Sequence, residues 1–234
     1  MKGKVVFITG GTSGYGRAMA ELFSREGGTV IIAARKRAEL DAMAAQIGCD
    51  VFQMDVTDFE AWGRVREYIL SRYGKIDILI NNAGGGVAIK TVATQTKEEI
   101  DRAIALNLNS VIYSANTFAP VFMKQREGTI INLSSVCARQ CWPEWSVYAS
   151  AKAGVLNFSK GLYVELQPYG VRVTCLIPAS AATRFQHDSG IPDVNSKLGV
   201  EDIAQTALYI CKLPPRAVVE DVTVWGIDQI VNPL

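Results

Sequence analysis

Short apolar runs alternate with longer amphipathic stretches along the chain of 234 residues. The apolar runs are rich in β-branched residues and predict strands at 5–9, 29–34, 50–54, 77–81, 129–134, 171–177 and 221–225. The stretches between them predict helices near 15–26, 37–47, 58–73, 97–125, 148–167 and 200–212. Several of the strands are apolar on both faces, as strands buried in a parallel sheet are. The alternation predicts an α/β protein, a single-domain doubly wound Rossmann fold over 1–234, with about seven mostly parallel strands and helices on both faces.

One stretch, 178–199, shows no regular period. It follows the sixth predicted strand and contains Pro, Gly, Asp and Asn. In a doubly wound fold this stretch lies at the carboxyl edge of the sheet, where ligands bind. We therefore expect either a loop that covers the substrate or an ordinary surface loop.

Composition and charge narrow the class of protein. Lys and Arg number 24 and Asp and Glu 23, so the electrostatic footprint of a nucleic-acid-binding protein is missing. The apolar runs are too short for a membrane span or a signal peptide. The five cysteines form no C-x-x-C pair, and a single histidine argues against a His-rich metal site. The sequence predicts a cytoplasmic protein with reduced thiols and no metal.

The segment "YASAK" places the phenol of Tyr148 and the ammonium of Lys152 four residues apart, on one face of the predicted helix. A free phenol has a pKa near ~10, and a neighbouring cation lowers it. Such a tyrosine can donate a proton to a carbonyl oxygen or remove one from an alcohol. The alternative is an unremarkable helix surface with one aromatic and one charged residue.

A glycine-rich turn, "TGGTSGYG", follows the first strand and opens a helix. Gly10, Gly14 and Gly16 allow a sharp turn and a close approach of the backbone to a ligand. The free N–H groups of the helix N-terminus then face a phosphate. The alternative is a tight turn that binds nothing.

The spacing T-G-x-x-x-G-x-G resembles that of the short-chain dehydrogenase/reductase family, and the resemblance extends along nearly the whole chain. Further motifs follow in the family's order: "DVTD" (55–58), "NNAG" (81–84), "LNLNS" (106–110), "INLSS" (131–135), the Tyr148/Lys152 pair and "IPASAAT" (177–183). Tyr15, Ser110 and Ala179 depart from the family's usual residues. None of them removes a reacting group, but Ala179 affects the expected contact with nicotinamide.

The resemblance implies four catalytic residues: Asn107, Ser135, Tyr148 and Lys152. Ser135 would hydrogen-bond the substrate oxygen. Ser134 is the competing choice, but an interval of thirteen residues to Tyr148 favours Ser135. Lys152 would also bind the nicotinamide ribose, and Asn107 would hold a water that links Lys152 to solvent.

The resemblance also implies a nicotinamide dinucleotide cofactor, with Thr183 bound to its carboxamide. The implied cofactor-binding residues are Gly10, Thr12, Ser13, Gly14, Tyr15, Gly16, Arg35, Asp55, Val56, Asn82, Ala83, Gly84, Tyr148, Lys152, Pro178 and Thr183, with Asn81 beside them.

Cofactor choice is predicted by the end of the second strand. A carboxylate there binds the ribose 2′-hydroxyl of NAD and would repel the 2′-phosphate of NADP. Ala34 occupies that position and Arg35 follows it. A guanidinium pairs with a phosphate bidentately, and Thr12 or Ser13 could donate a further bond. We therefore expect NADP(H) rather than NAD(H).

The substrate is specified less sharply. Cys137, Trp142, Arg184 and Phe185 are the candidate pocket residues, and Trp145 accompanies them. An aromatic-lined pocket suits a ketone or a secondary alcohol. Arg139 and Arg184 would instead clamp a carboxylate.

We therefore expect an NADP(H)-dependent carbonyl reductase that interconverts a small-molecule ketone or aldehyde and an alcohol. The alternatives are an NAD-dependent dehydrogenase of small hydroxy acids and a non-catalytic dinucleotide sensor or scaffold. The resemblance implies a homodimer or homotetramer that forms through the helices near 97–125 and 148–167.

Overall fold

The computed structural model describes residues 1–85, 87–192 and 196–229. Its seven strands form one sheet, in the order β3-β2-β1-β4-β5-β6-β7, and every neighbouring pair is parallel. The strands are β1 (Val5–Thr9), β2 (Thr29–Ala34), β3 (Asp50–Gln53), β4 (Ile78–Asn81), β5 (Gly128–Leu133), β6 (Val171–Pro178) and β7 (Asp221–Val224). The predicted doubly wound parallel sheet is confirmed.

Helices cover both faces of the sheet. They are α1 (Gly14–Arg25), α2 (Arg37–Ile47), α3 (Phe59–Tyr73), α4 (Lys97–Ile104), α5 (Ser110–Gln125), α6 (Ser146–Leu166), α7 (Arg184–Ser189) and α8 (Val200–Lys212). Across the described residues, no helix is both long enough and apolar enough to cross a membrane.

Alternate side chains of β1 enter two separate cores. Ile8 packs in a cluster with Phe23 of α1, whereas Phe7 packs in another with Trp62 of α3 and Phe118 of α5. All five of these side chains are at most 1% exposed. Burial on both sides explains why the strands are continuous apolar runs, and it fixes the carboxyl edge of the sheet as the place for polar chemistry.

The order of the strands reverses between β1 and β4. The chain goes from β1 to β2 and β3 on one side and then returns to β4 on the other. At such a switch point the loops after the two strands diverge and leave a crevice for a ligand. The glycine turn follows β1, and the "NNAG" motif follows β4.

The predicted helix near 97–125 is helical throughout but is not uniform. Residues Ala105–Asn109 form a wide π-helical turn between α4 and α5. The turn contains Asn107, which is fully buried. Such turns insert one extra residue into a helix and often occur at functional sites.

The stretch 178–199 is more ordered than its sequence predicts, because residues 184–189 form α7. The Thr183 hydroxyl accepts a bond from the N–H of Phe185, and the Gln186 side chain accepts one from the N–H of Thr183. These caps support a helix too short to show a period of its own. The part of the predicted loop at 193–195 lies outside the described residues.

Candidate active site

A cleft of about 610 Å³ lies at the carboxyl edge of the sheet. This volume is within the range of small-molecule and cofactor sites. At one end of the cleft, which we call the charged end, lie Thr12, Arg35, Lys36, Glu39 and Arg184. At the other, the buried end, lie Ser135, Trp145, Tyr148, Lys152 and Phe185.

The glycine turn forms the floor between them. Gly10 has a φ of +67°, which favours glycine. A Cβ on Gly16 would lie 2.2 Å from the Gly10 oxygen, so only glycine lets the turn close. The Asn82 amide donates to the carbonyls of Thr9 at 2.9 Å and Gly10 at 3.2 Å. The turn is therefore tied to the loop after β4, and its shape fits the close approach of a dinucleotide phosphate.

Asn107 holds the same loop from the other side. Its side-chain oxygen accepts a bond from the N–H of Gly85 at 2.8 Å, and its amide donates to the Ala103 carbonyl at 3.1 Å. A Cβ on Gly84 would lie 2.9 Å from the Asn107 oxygen and 3.1 Å from Nζ of Lys152. Asn107 and Lys152 therefore approach each other across a backbone that has no room for a side chain.

Lys152 is buried, with 4% of its surface exposed. Its ammonium donates to the Leu133 carbonyl at 3.1 Å and lies 5.8 Å from the centroid of the Tyr148 ring. Burial lowers the pKa of Lys152 to about 8. Its backbone carbonyl accepts a bond from the Ser134 hydroxyl at 2.8 Å.

Tyr148 is 8% exposed, and burial raises the pKa of its phenol. The neighbouring Cys137 raises this pKa further, whereas an interaction with the Ser135 hydroxyl opposes the rise. The sequence argument expected Lys152 to lower the pKa, but in this structure burial has the larger effect. Tyr148 is thus a protonated phenol at neutral pH and is suited to donate a proton.

Ser134 and Ser135 have separate surroundings. The Ser134 hydroxyl is buried and is used by the Lys152 backbone. The Ser135 hydroxyl faces the cleft, accepts a bond from the N–H of Cys137 at 3.2 Å and interacts with Tyr148. Of the two serines, the geometry places Ser135 beside the phenol.

Two aromatic rings pack against the phenol, and a third lines the cleft nearby. Phe185 of α7 stacks on Trp145 with centroids 6.0 Å apart and lies 5.5 Å from Tyr148. Trp145 also contacts Tyr148 edge-on at 5.7 Å. Trp142 lines the same part of the cleft. The buried end is therefore walled by aromatic rings, as an apolar substrate site is.

Two residues that depart from the family's usual pattern contact each other. The Tyr15 hydroxyl, in the glycine turn, donates to the Ala179 carbonyl, just after β6, at 2.9 Å. Burial raises the pKa of Tyr15 to about 12, so the hydroxyl stays a donor. The bond connects the floor of the cleft to the loop that follows Pro178.

The charged end is organised around Glu39 of α2. Its carboxylate accepts bonds at 3.1 Å from Thr12, Lys36 and Arg184. Arg35 is exposed, and its guanidinium makes no hydrogen bond or ion pair within the described part of the chain. The structure therefore brings Arg184 to Glu39, away from the Ser135–Tyr148 cluster.

Arg139, the other candidate carboxylate clamp, is also engaged. Its guanidinium pairs with Asp221 and donates to the Thr223 hydroxyl at 3.0 Å. Arg139 does not line the cleft.

Most residues predicted for the site do line the cleft. Of the predicted set, Gly16, Asn81 and Asn107 do not line it. Gly16 acts through the shape of the turn, and Asn107 through Gly85. Asn81 does not border the cofactor side as expected, because its amide is buried and donates to Asn132 at 2.8 Å.

Among the lining residues outside the predicted site set is Glu39; Trp145, expected only to accompany the pocket residues, lines the cleft as well. Glu39 follows a basic run, and an acidic residue near several cations indicates an ion-pair network. Trp145 lies three residues before Tyr148 and extends the aromatic pattern of its segment. Within the described ranges, no group of three or more His, Cys, Asp or Glu side chains could hold a metal ion.

Fold and site together define a dinucleotide-binding oxidoreductase with a tyrosine and a lysine in its cleft. Residues 4–192 match the family model described as short chain dehydrogenase, and the chain belongs to this family. It is 32% identical over 259 residues to tropinone reductase-like 2 of Erythroxylum coca, an alignment that covers 99% of this chain and 90% of that one.

Solved structures share this fold. A closed form of serine dehydrogenase complexed with NADP+ superposes with a TM-score of 0.91 at 23% identity, with 98% of each chain covered, and supports the fold. An alcohol dehydrogenase from Thermococcus sibiricus complexed with 5-hydroxy-NADP has a TM-score of 0.89 at 25% identity, covering 98% and 99%. A 3-ketoacyl-(acyl-carrier-protein) reductase from Brucella melitensis complexed with NADH has a TM-score of 0.86 at 28% identity, covering 95% and 97%.

Proposed function

We propose that this protein interconverts an uncharged carbonyl compound and an alcohol, with NADP(H) as its cofactor. The observation that carries the proposal is the buried Tyr148 phenol, which lies between Ser135 and Lys152 in a cleft whose floor is the glycine turn. A protonated phenol beside a hydroxyl and an ammonium is the arrangement needed to protonate an oxygen that becomes an alcohol.

The cofactor supplies the hydride in reduction and accepts it in oxidation. In reduction, the Ser135 hydroxyl binds the carbonyl oxygen and holds it next to Tyr148. The phenol gives its proton to that oxygen as negative charge develops there, and the carbonyl becomes an alcohol. In oxidation the same two side chains act in reverse, and the phenolate removes the proton.

Lys152 supports the proton transfer from beside the ring. Its ammonium stabilises the phenolate that remains after the proton has left. Its pKa of about 8 lies close to neutrality, so the ammonium is able to return a proton to Tyr148. Asn107 keeps Gly84 and Gly85 in place next to this ammonium. Lys152 would also hold the nicotinamide ribose, and Thr183 the carboxamide.

The walls of the buried end support an uncharged substrate. Trp142, Trp145 and Phe185 provide apolar surface, and a buried carboxylate would need a cation close to it. Arg139 and Arg184, the two guanidinium groups expected from the sequence to clamp a carboxylate, already pair with Asp221 and Glu39. This favours a ketone or aldehyde over a hydroxy acid. Phe185 would cover the substrate, because its ring extends from α7 to contact Tyr148.

The charged end supports NADP(H). Arg35 is exposed and makes no ion pair within the described residues, and Thr12 and Lys36 lie in the same end of the cleft. We propose that Arg35 pairs with the 2′-phosphate, since Ala34 leaves no carboxylate at the end of β2 to repel it.

A panel of carbonyl and alcohol substrates tests the proposal. The unmodified protein is assayed with NADPH, NADH, NADP+ and NAD+, and the change in nicotinamide absorbance is followed. Turnover of uncharged ketones or aldehydes with NADPH is expected, at rates above those of keto acids of similar size. If the protein binds NADPH but turns over no carbonyl in the panel, the sensor alternative is favoured. A preference for hydroxy acids with NAD+ would contradict the proposal.

A further inference from the structure

Glu39 is surrounded by donors from three parts of the chain. Thr12 lies in the glycine turn, Lys36 directly precedes α2, and Arg184 is the first residue of α7. Each donates to the same carboxylate at 3.1 Å. A single anion therefore holds together elements that are distant in sequence.

Two of these donors lie at the end of the cleft where the ribose phosphate is expected, and Thr12 is itself one of the expected ligands. Thr12 and Lys36 accompany Arg35 in the charged end, where the proposed function places the 2′-phosphate. A carboxylate and a phosphate compete for such donors, because both are oxygen anions that accept bonds from hydroxyl and cationic groups. Burial raises the pKa of Glu39, but bonds from Lys36, Arg184 and Thr12 outweigh this and hold the pKa below its usual range. The carboxylate is thus ionised at neutral pH.

The surroundings have room and charge for another anion. A second recess of about 440 Å³ adjoins the charged end. Its cationic lining residues are Arg35, Lys36, Arg102 and Arg184, and its acidic ones are Glu99 and Asp188. Glu99 is already paired with Lys90 at 2.8 Å. Cations therefore outnumber acids around the point where Arg184 meets Glu39.

We propose that Glu39 is an internal substitute for the 2′-phosphate of the cofactor, and that Arg184 is the ligand that α7 brings to this phosphate. The proposal rests on the proposed function, because it requires a phosphorylated ribose at the charged end. When the phosphate is bound, Arg184 and Thr12 pair with it, and Glu39 loses these partners.

When Arg184 exchanges Glu39 for the phosphate, the buried end of the cleft is affected as well. The next residue, Phe185, contacts Tyr148 and Trp145. A contact between the phosphate and Arg184 therefore fixes the first turn of α7, and with it the ring that covers the phenol. The phosphorylated cofactor would close the substrate pocket more firmly than the unphosphorylated one.

Binding of nicotinamide-free fragments to the full chain tests the proposal without turnover. Adenosine 2′,5′-bisphosphate carries the phosphate in question, and 5′-AMP lacks it. Calorimetry is expected to show that Arg184→Ala weakens binding of the bisphosphate about tenfold and changes that of 5′-AMP less than about twofold. Glu39→Gln is expected to tighten binding of the bisphosphate about threefold, because it removes a competing like charge.

Both substitutions break the same ion pair, but they are expected to change the affinity for the bisphosphate in opposite directions. This difference in direction tests the proposal. If the pair only held α2 and α7 together, both variants would change binding in the same direction, which would overturn the proposal. Arg37→Ala is the matched control. It removes an arginine paired with Asp41 at 2.8 Å on α2, outside the cleft lining. Its affinity for both ligands should stay within about twofold of the parent.

Two further outcomes separate this proposal from the proposed function. If the unmodified chain prefers the bisphosphate but Arg184→Ala binds it as tightly, the cofactor assignment survives and the role of Arg184 is overturned. If the unmodified chain binds the two fragments with equal affinity, both the NADP(H) assignment and the proposed role of Arg184 fail. Hydrogen exchange in α7 gives a second readout: protection of 184–189 should be greater with the bisphosphate than with 5′-AMP, and Arg184→Ala should remove the difference.

Discussion

The charged end and the buried end share one cleft, but their side chains are held by different forces. Lys152 and Tyr148 are at most 8% exposed. In contrast, the Lys36 and Arg184 side chains are 63% and 52% exposed. Burial changes proton affinities at one end, whereas exposed charges at the other end exchange partners at little cost in stability. Under the proposed function, the core of the fold therefore sets the chemistry and its surface sets the choice of cofactor.

The largest expected effect is at the buried end. Tyr148→Phe keeps the ring and its contacts but removes the proton donor, so turnover should fall by about 10²–10⁴-fold while NADPH binding is retained. Steady-state kinetics together with fluorescence titration of NADPH measure both quantities. Tyr163→Phe, on the same helix but outside the cleft, is the control and should leave turnover unchanged. Near-normal turnover of Tyr148→Phe would remove Tyr148 from the mechanism.

The next effect is at the charged end. Ala34→Asp combined with Arg35→Ala supplies the carboxylate that binds a ribose 2′-hydroxyl and removes the phosphate ligand. The ratio of NADP(H) to NAD(H) affinity should fall by about 10–150-fold. Dissociation constants for both cofactors measure it, and thermal unfolding should show little change because Ala34 is only partly buried, at the carboxyl end of β2, and Arg35 is exposed just after it. A parent protein that uses NADH as well as NADPH would contradict this role of Arg35.

Burying the charge of Lys152 lowers the stability of the folded protein. Its pKa falls from 10.5 to about 8 on folding, so the folded protein bears a penalty for the charged form that is complete below pH 8 and disappears as the pH rises towards 10.5. Lys152→Met should raise the free energy of unfolding by about 1–3 kcal/mol at pH 7, after the lost bond to Leu133 is subtracted, and abolish activity. This advantage should decrease between pH 8 and pH 10.5.

Urea unfolding of parent and variant at several pH values measures the difference. Lys160→Met, on the same helix but with its side chain 43% exposed, is the control and should show a small difference at every pH. An advantage of Lys152→Met that does not change with pH would mean that packing, and not the buried charge, is responsible.

The smallest expected effect concerns the bond between the floor and the loop after β6. Tyr15→Phe removes the hydroxyl that donates to Ala179 and should lower the free energy of unfolding by about 0.5–1.5 kcal/mol. Tyr209→Phe is the matched control, because that ring is 62% exposed on α8, and it should be neutral within about 0.5 kcal/mol. Chemical denaturation distinguishes the two. Equal effects would show that the hydroxyl of Tyr15 contributes nothing specific.

Much of this architecture is predictable from the sequence, because it depends on periodicity and local motifs. All seven strands lie within one or two residues of the apolar runs that predict them. The glycine turn and the Tyr148/Lys152 pair are local as well, since their geometry follows from a turn and from a single helix face.

What the sequence could not predict depends on distant partners. Arg184 and Glu39 are 145 residues apart, and no local pattern indicates that they meet. The ion pair between Arg139 and Asp221 forms only because the sheet places β7 beside β6. The pKa of Tyr148 could not be predicted either, because neighbouring charge is visible in a sequence and burial is not. Helix α7, with six residues, is too short to show a period.

The wide turn Ala105–Asn109 has a consequence for insertions and deletions. One added residue rotates the rest of a helix by about 100°, so α4 and α5 present faces that no single regular helix could present together. Deleting one residue here would shorten the chain without creating a gap, and the helix would close into a regular one. The contact of Asn107 with Gly85 would be lost although every functional side chain remained in the sequence. At this point the number of residues matters as much as their identity.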